Sequence, residues 1–183
     1  KAMLSERDQA EISTPEDLRL YARRLFALKE LLPKRAEEVG FHGALGAIKN
    51  RTLPGGRPVL VLECSKAMPG AEQGKGPVIR VGDKASVFDP DTVAACVETA
   101  GKLAASRPGF RVQRRLMDGG TCEASAFGLL GRRSLCIALP LGNYHNAGPR
   151  GVAPEFIESE DFLGAVDLLF HEAWIKRLPC RTK

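Results

Sequence analysis

The sequence predicts an α/β fold, a three-layer αβα sandwich around a mixed, mostly parallel central sheet. Three observations carry this expectation. Apolar runs of strand length alternate with amphipathic segments of helix length along most of the 183 residues. Two of those runs, Pro58-Val59-Leu60-Val61-Leu62-Glu63 and Ser134-Leu135-Cys136-Ile137-Ala138-Leu139, are continuously apolar, as strands covered on both faces are. A hydrophobic content of 44% at this length suffices for one domain with a sizeable core. The expected organisation is a single catalytic-type domain over residues 1–183, lacking its N-terminal part, with residues 1–13 as a loop.

Each element has its own local reason. Thr14-Pro15-Glu16-Asp17 opens a helix, with Thr14 as N-cap, Pro15 at the first helical position and acids in the first turn. Leu18, Tyr21, Leu25, Leu28 and Leu32 continue it at helical spacing, and Pro33 stops it. Residues 43–49 read as a short helix, and Pro54-Gly55-Gly56 as a turn. The strand from Pro58 ends on Glu63; a polar loop covers residues 66–76. Pro77-Val78-Ile79-Arg80-Val81 is a second strand, and Asp89-Pro90-Asp91 opens a helix with Val93, Cys96, Val97, Ala100, Leu103 and Ala104 on one side. Residues 110–116 form a third strand, a short helix ends near Leu130, and the strand from Ser134 closes at Pro140. An irregular loop over residues 142–155 carries one His, and Ser159-Glu160-Asp161 opens the last helix, with Phe162, Leu163, Val166, Leu169 and Phe170 as its apolar face.

Composition excludes several classes. The net charge of +5 (pI ≈ 9.1) is spread over scattered residues and short basic pairs, and aromatics make up 6%, so the basic, aromatic-interleaved surface of a nucleic-acid binder is missing. No apolar run reaches the ~20 residues of a membrane span, and the first residues have no signal-peptide core. Five cysteines sit singly, an odd number without a C-x-x-C, which favours a reducing cytoplasm over a disulfide framework. The sequence does not begin with Met, which reads as a fragment.

The candidate chemistry lies at strand ends, where open α/β sheets gather their ligands. Glu63 ends one strand, His145 follows another, and Glu37-Glu38 precedes a Gly-punctuated turn into a helix. Carboxylates and imidazole suit Zn²⁺ and similar divalent ions. A carboxylate beside such an ion can take a proton from its bound water. Each residue also has an ordinary reading. Adjacent glutamates are common on solvated helix faces, a loop His is usually solvated, and Asp17 is well explained as a helix N-terminal acid. His42 and His171 have no ligand-spaced neighbour.

The conjunction is more telling than its members. Glu37-Glu38-Val39-Gly40-Phe41-His42-Gly43-Ala44 resembles the Glu-Glu-Val-Gly-x-x-Gly-Ala motif of the co-catalytic dinuclear zinc aminopeptidases. The likeness is closest to the M42 glutamyl aminopeptidases that form tetrahedral assemblies, within a clan shared with M28 and M20 peptidases. Gly74-Lys75-Gly76-Pro77-Val78-Ile79 resembles the Gly-x-Gly-Pro-x-Ile segment, and Gly119-Gly120-Thr121-Cys122-Glu123-Ala124 resembles Gly-Gly-Thr-Asp-Ala with Cys-Glu in place of the Asp. Asn143-Tyr144-His145-Asn146 resembles the Tyr-x-His segment; together these cover roughly residues 35–175 in order.

The resemblance implies two divalent metal ions, Zn²⁺ first and Co²⁺ or Mn²⁺ as alternatives, and hydrolysis of an amino-terminal peptide bond. Glu37 would be the general base toward the bridging water. Glu38 and His145 would ligate one metal, and Glu63 would stand where the family has an Asp ligand. The bridging acid would be Glu16 or Asp17. The implied partners are a peptide substrate and further copies of the chain, without nucleic acid or membrane.

Two departures stand beside it. The family's His-x-Asp is absent, since no His precedes His42. The helix stopping at Pro33 leaves no room for a strand of ~5 residues before Glu37, so a segment is expected to be missing at Leu32-Pro33-Lys34. The alternative function is therefore a non-catalytic or truncated relative acting as a binding or assembly module.

Overall fold

The computed structural model describes residues 40–53 and 56–171. Within them, α1 (His42–Lys49) is followed by β1 (Val59–Lys66), β2 (Val78–Asp83), α2 (Pro90–Ser106), β3 (Gln113–Met117), α3 (Glu123–Leu129), β4 (Ser134–Leu141) and α4 (Ser159–Phe170). A 3-10 turn (Tyr144–Asn146) and a two-residue hairpin, β5 (Ala147–Gly148) and β6 (Gly151–Val152), lie between β4 and α4. The chain divides into two compact units, residues 1–43 and 44–183. The helix expected over residues 14–32 and the join at Pro33 lie outside the described residues, as do Asp17, Glu37 and Glu38. Of the first unit, Gly40 (φ +83°) and Phe41 (φ +57°) make a left-handed turn into α1.

The sheet is mixed and mostly parallel, in the order β1-β4-β2-β3. β1 pairs with β4 in parallel from Val59↔Ser134 to Lys66↔Leu141, β2 and β3 are parallel, and β2 runs antiparallel to β4 over Val78–Arg80. This agrees with the predicted fold class. Two strands run further than expected. β1 continues three residues past Glu63 because its pairing with β4 continues. β4 runs through Pro140, which a central strand seldom tolerates. The antiparallel pairing with β2 involves Ala138, Ile137 and Cys136, so Pro140 lies beyond it and its missing N–H breaks no bond there. β1 is also not covered on both faces: Val61 and Ser65 are buried, whereas Leu62 is 54% exposed.

Helices lie on the sheet, α2 and α4 against each other and on β4, with α2 also on β2, and α3 on β1 and β4. Asp89 caps α2, its carboxylate accepting from the Thr92 N–H, and Pro90 sets the first helical position. The buried stripe of α4 differs from the expected apolar face. It is Asp161, Gly164, Ala165 and Leu168, because this helix approaches closely: a Cβ on Gly164 would lie 2.9 Å from Pro77 Cδ.

That approach serves the loop before β2. The fully buried Asp161 carboxylate accepts from the N–H groups of Gly74 (2.9 Å) and Gly76 (2.7 Å). The Gln113 side chain accepts from the Glu72 N–H and donates to the Glu72 and Gly76 carbonyls at 2.8–2.9 Å. Gly76 sits at φ +89° against the Arg111 carbonyl. The Gly-Lys-Gly-Pro segment is thus fixed from both sides by side chains distant in sequence, which a pattern of helices and strands does not reveal.

Candidate functional site

The most chemically loaded cluster is built across three strands. Cys136 of β4 is in register with Val61 of β1 and Arg80 of β2, and Glu63 is in register with Ala138. Side chains two apart on a strand share a face, so Glu63, Cys136 and Arg80 project together. Arg80 Nη1 donates to Glu63 Oε2 at 2.7 Å and to Ser65 Oγ at 3.2 Å, and Nη2 reaches the Met117 carbonyl at 3.5 Å. Arg80 Nε is buried without a hydrogen-bond partner. Cys136 Sγ lies 3.8 Å from the same Glu63 oxygen. Cys122, just before α3, brings its thiol to the group: the ligating atoms of Glu63, Cys122 and Cys136 all lie within 4.8 Å of one another.

Electrostatics explain why a guanidinium is tolerated there. The Arg80 side chain is 3% exposed and that of Glu63 is 21% exposed. Burial is the largest influence on Arg80 and opposes its charge; the negative charge around it, which near neutral pH is that of the Glu63 and Asp83 carboxylates, outweighs burial and raises its pKa. Burial, then the hydrogen bond and charge of Cys122, push the Cys136 thiol well up, while Arg80 pulls it down. A buried ion pair of this kind roughly offsets its own desolvation, and removing one partner costs about 3–5 kcal/mol.

A second buried acid anchors the start of α3. The Asp83 carboxylate accepts from Ser125 Oγ (2.7 Å) and from the N–H groups of Cys122 (2.9 Å), Ala85 (2.8 Å) and Ser86 (3.0 Å). Burial is the largest influence on this group and raises its pKa; the four donors outweigh it and hold it below the ordinary 3.8. A depressed folded-state value contributes stability above the unfolded value that is lost as pH falls through the folded one. Asp83→Asn is therefore expected to lower stability at neutral pH and to flatten the loss of stability below about pH 4. Urea midpoints measured from pH 7 down to 3 check both features.

His145 stands on a different footing. It is exposed, on the 3-10 turn four residues beyond β4, with its ring stacked on Tyr144 at a centroid distance of 4.0 Å. Its backbone N–H donates to Glu155 Oε1 at 2.7 Å. Asn143, His145 and Asn146 all have φ between +51° and +59°. Left-handed non-glycine residues are uncommon, and three within four positions is the kind of stored strain that gathers at functional sites.

Of the residues singled out in the sequence, Glu63 and His145 are among those described, and the three-residue ligating group includes Glu63 and not His145. Glu63 lies within β1, not at its end. Arg80, Cys122, Cys136 and Asp83 were not among the expected site residues. Two of them carried a signal: Arg80 is the one charge inside the run Pro77–Val81, and Cys122 belongs to the Cys-Glu pair that stands in place of an Asp inside a matched motif.

Solved structures share this arrangement of a mixed sheet with flanking helices. The TET aminopeptidase of a marine-sediment thaumarchaeon superposes with a TM-score of 0.61 at 23% identity, over 78% of this chain and 38% of that one. An aminopeptidase of Desulfurococcus kamchatkensis does so with a TM-score of 0.61 at 22% identity, over 78% and 42%. The TET1 peptidase of Pyrococcus horikoshii matches at 26% identity with a TM-score of 0.54, over 75% and 37%. The chain thus spans about two fifths of the length of the solved structures it matches. No curated protein matches it. The class these define is an α/β domain with a mixed, mostly parallel sheet between flanking helices. The family model of the M42 glutamyl aminopeptidases matches residues 32–154, and the chain belongs to that family.

Proposed function

We propose that the protein is a metal-dependent hydrolase of peptide bonds, an aminopeptidase, with residues 1–183 contributing to a single catalytic-type domain. The observation that carries this is membership of the M42 family with the Glu37-Glu38-Val39-Gly40 motif intact. Glu38, Glu63 and His145 are the proposed metal-holding residues, with Asp17 as the bridging acid. Oxygen and imidazole donors fit two divalent ions of the Zn²⁺, Co²⁺ or Mn²⁺ kind. The strained turn that presents His145 outward supports its part in this set. Bound ions of this kind polarise a carbonyl and lower the pKa of water. The chain's own residues hold and orient: Arg80 fixes one oxygen of Glu63, and the Glu37 carboxylate accepts the proton.

The solved relatives include a TET peptidase dodecamer and a TET1 peptidase that assembles into a tetrahedron or an octahedral shell. Homo-oligomers are proposed here by likeness to them. No helix of the described residues is long and apolar enough to cross a membrane. The five cysteines sit singly in the sequence, an odd number without a C-x-x-C, which supports the proposed cytoplasmic placement.

A second reading is favoured by one observation. The Arg80 guanidinium already neutralises Glu63, as an ion pair in a non-catalytic binding or assembly module would. Metal analysis separates the two. His145→Ala and Glu63→Ala are each expected to lower bound metal by about half or more. Unchanged metal content in both variants would remove these residues from the ligand set.

A further inference from the structure

Glu63 stands where the resemblance expects an Asp, the pair Cys122-Glu123 stands in place of another, and Glu63 and Cys122 meet in space together with Cys136. We propose that Glu63, Cys122 and Cys136 form a sulfur-containing site for a thiophilic divalent cation of the Zn²⁺ class. The site shares Glu63 with the hydrolase reading and does not rest on it.

The donor set is right for such an ion. Two thiolates and a carboxylate are borderline-soft ligands that Zn²⁺ accepts in tetrahedral geometry, with Zn–S near 2.3 Å. That geometry places two sulfurs about 3.8 Å apart. The ligating atoms here lie within 4.8 Å of one another, so side-chain rotation of a few tenths of an ångström to an ångström closes the site. Cys136 Sγ is already 3.8 Å from Glu63 Oε2. Three protein ligands leave a fourth position for water or an incoming donor.

Charge also balances. A divalent cation with two thiolates and one carboxylate carries one net negative charge, and Arg80, 2.7 Å from Glu63, supplies the compensating positive charge in a region where an unpaired charge is costly. Arg80 does not need to leave, because a carboxylate has about four lone-pair sites and serves a guanidinium and a metal together. Cys122 and Cys136 are fully buried, and the partly exposed Glu63 side gives the ion its way in. Binding converts two S–H groups to thiolates and releases two protons to solvent. The ordinary reading is two buried thiols packed as small apolar groups, and it predicts no ion there.

The test uses the whole chain, stripped of metal under reducing conditions and loaded with Co²⁺. A sulfur-to-cobalt charge-transfer band is expected in the near ultraviolet. Cys122→Ser and Cys136→Ser should each lower it about twofold or more, the double variant should abolish it, and Cys64→Ser, exposed on the opposite face of β1, should leave it unchanged. A guard against misfolding of the variants is X-ray absorption on the unsubstituted chain loaded with Zn²⁺. Sulfur neighbours at about 2.3 Å support the site; only oxygen and nitrogen neighbours at about 2.0–2.1 Å overturn it, as does failure to take up zinc. The hydrolase reading fails on other grounds, an activity indifferent to Glu37, so the two failures are distinguishable.

Discussion

Replacing Glu37 by Gln is expected to lower the proposed peptide hydrolysis by about 10²- to 10⁴-fold while bound metal stays unchanged, the range that a positioned general base contributes. The amide is close in size to the carboxylate but cannot take up a proton, so the substitution removes the proton acceptor and little else. Glu37 and Glu38 are adjacent and chemically identical in isolation, and the family motif separates their roles. The contrast between them is the sharper part of the expectation: Glu38→Gln costs metal as well as rate. Initial rates on an aminoacyl amide, with metal content measured on the same samples, resolve the pair. A full rate in Glu37→Gln would remove it from the mechanism.

The largest expected effect on folding is at Gly76. Its φ of +89° is strained for any L side chain, and a Cβ there would fall inside contact distance of the Arg111 carbonyl, which is backbone and cannot rotate away. The Gly76 N–H is also held by Asp161 and its carbonyl by Gln113, so the loop cannot shift without losing both bonds. Gly76→Ala is expected to destabilise by about 3 kcal/mol or more, at the upper end for single substitutions. For a chain of this size that lowers the melting temperature by about 6–12 °C. Gly101 is the internal control. It is exposed on α2 with nothing within 4 Å of a Cβ, so Gly101→Ala should stabilise by up to about 1 kcal/mol. Thermal unfolding of the two variants beside the parent reads the opposite signs directly.

The fold class was legible because burial imposes periodicity. The apolar runs at Val59–Leu62 and Ser134–Leu139 became the paired strands β1 and β4, and Asp89-Pro90 capped α2 as its chemistry requires. The exceptions have physical causes. Pro140 reads as a strand terminator, but here it sits where β2 no longer pairs. The buried face of α4 was misread because hydrophobicity pointed to Phe162 and Leu163, whereas close packing on Pro77 selected Gly164, Ala165 and the carboxylate of Asp161. Cys122 and Cys136 lie fourteen residues apart on different elements, and no spacing rule joins them to Glu63. Sheet register brings Cys136 beside Arg80, and Asp83 brings Cys122 in by its N–H. Long-range register and side-chain-to-backbone bonds of this sort are the features a linear pattern leaves out.

Chelation is the most direct test of metal-dependent peptide hydrolysis by this chain. The chain is assayed on an aminoacyl amide as purified, after exhaustive chelation and dialysis, and after return of Zn²⁺, Co²⁺ or Mn²⁺. Hydrolysis is expected to disappear with the metal and to return with at least one of the three ions. Hydrolysis that survives complete metal removal, or its absence in every metal-restored sample, would contradict this expectation.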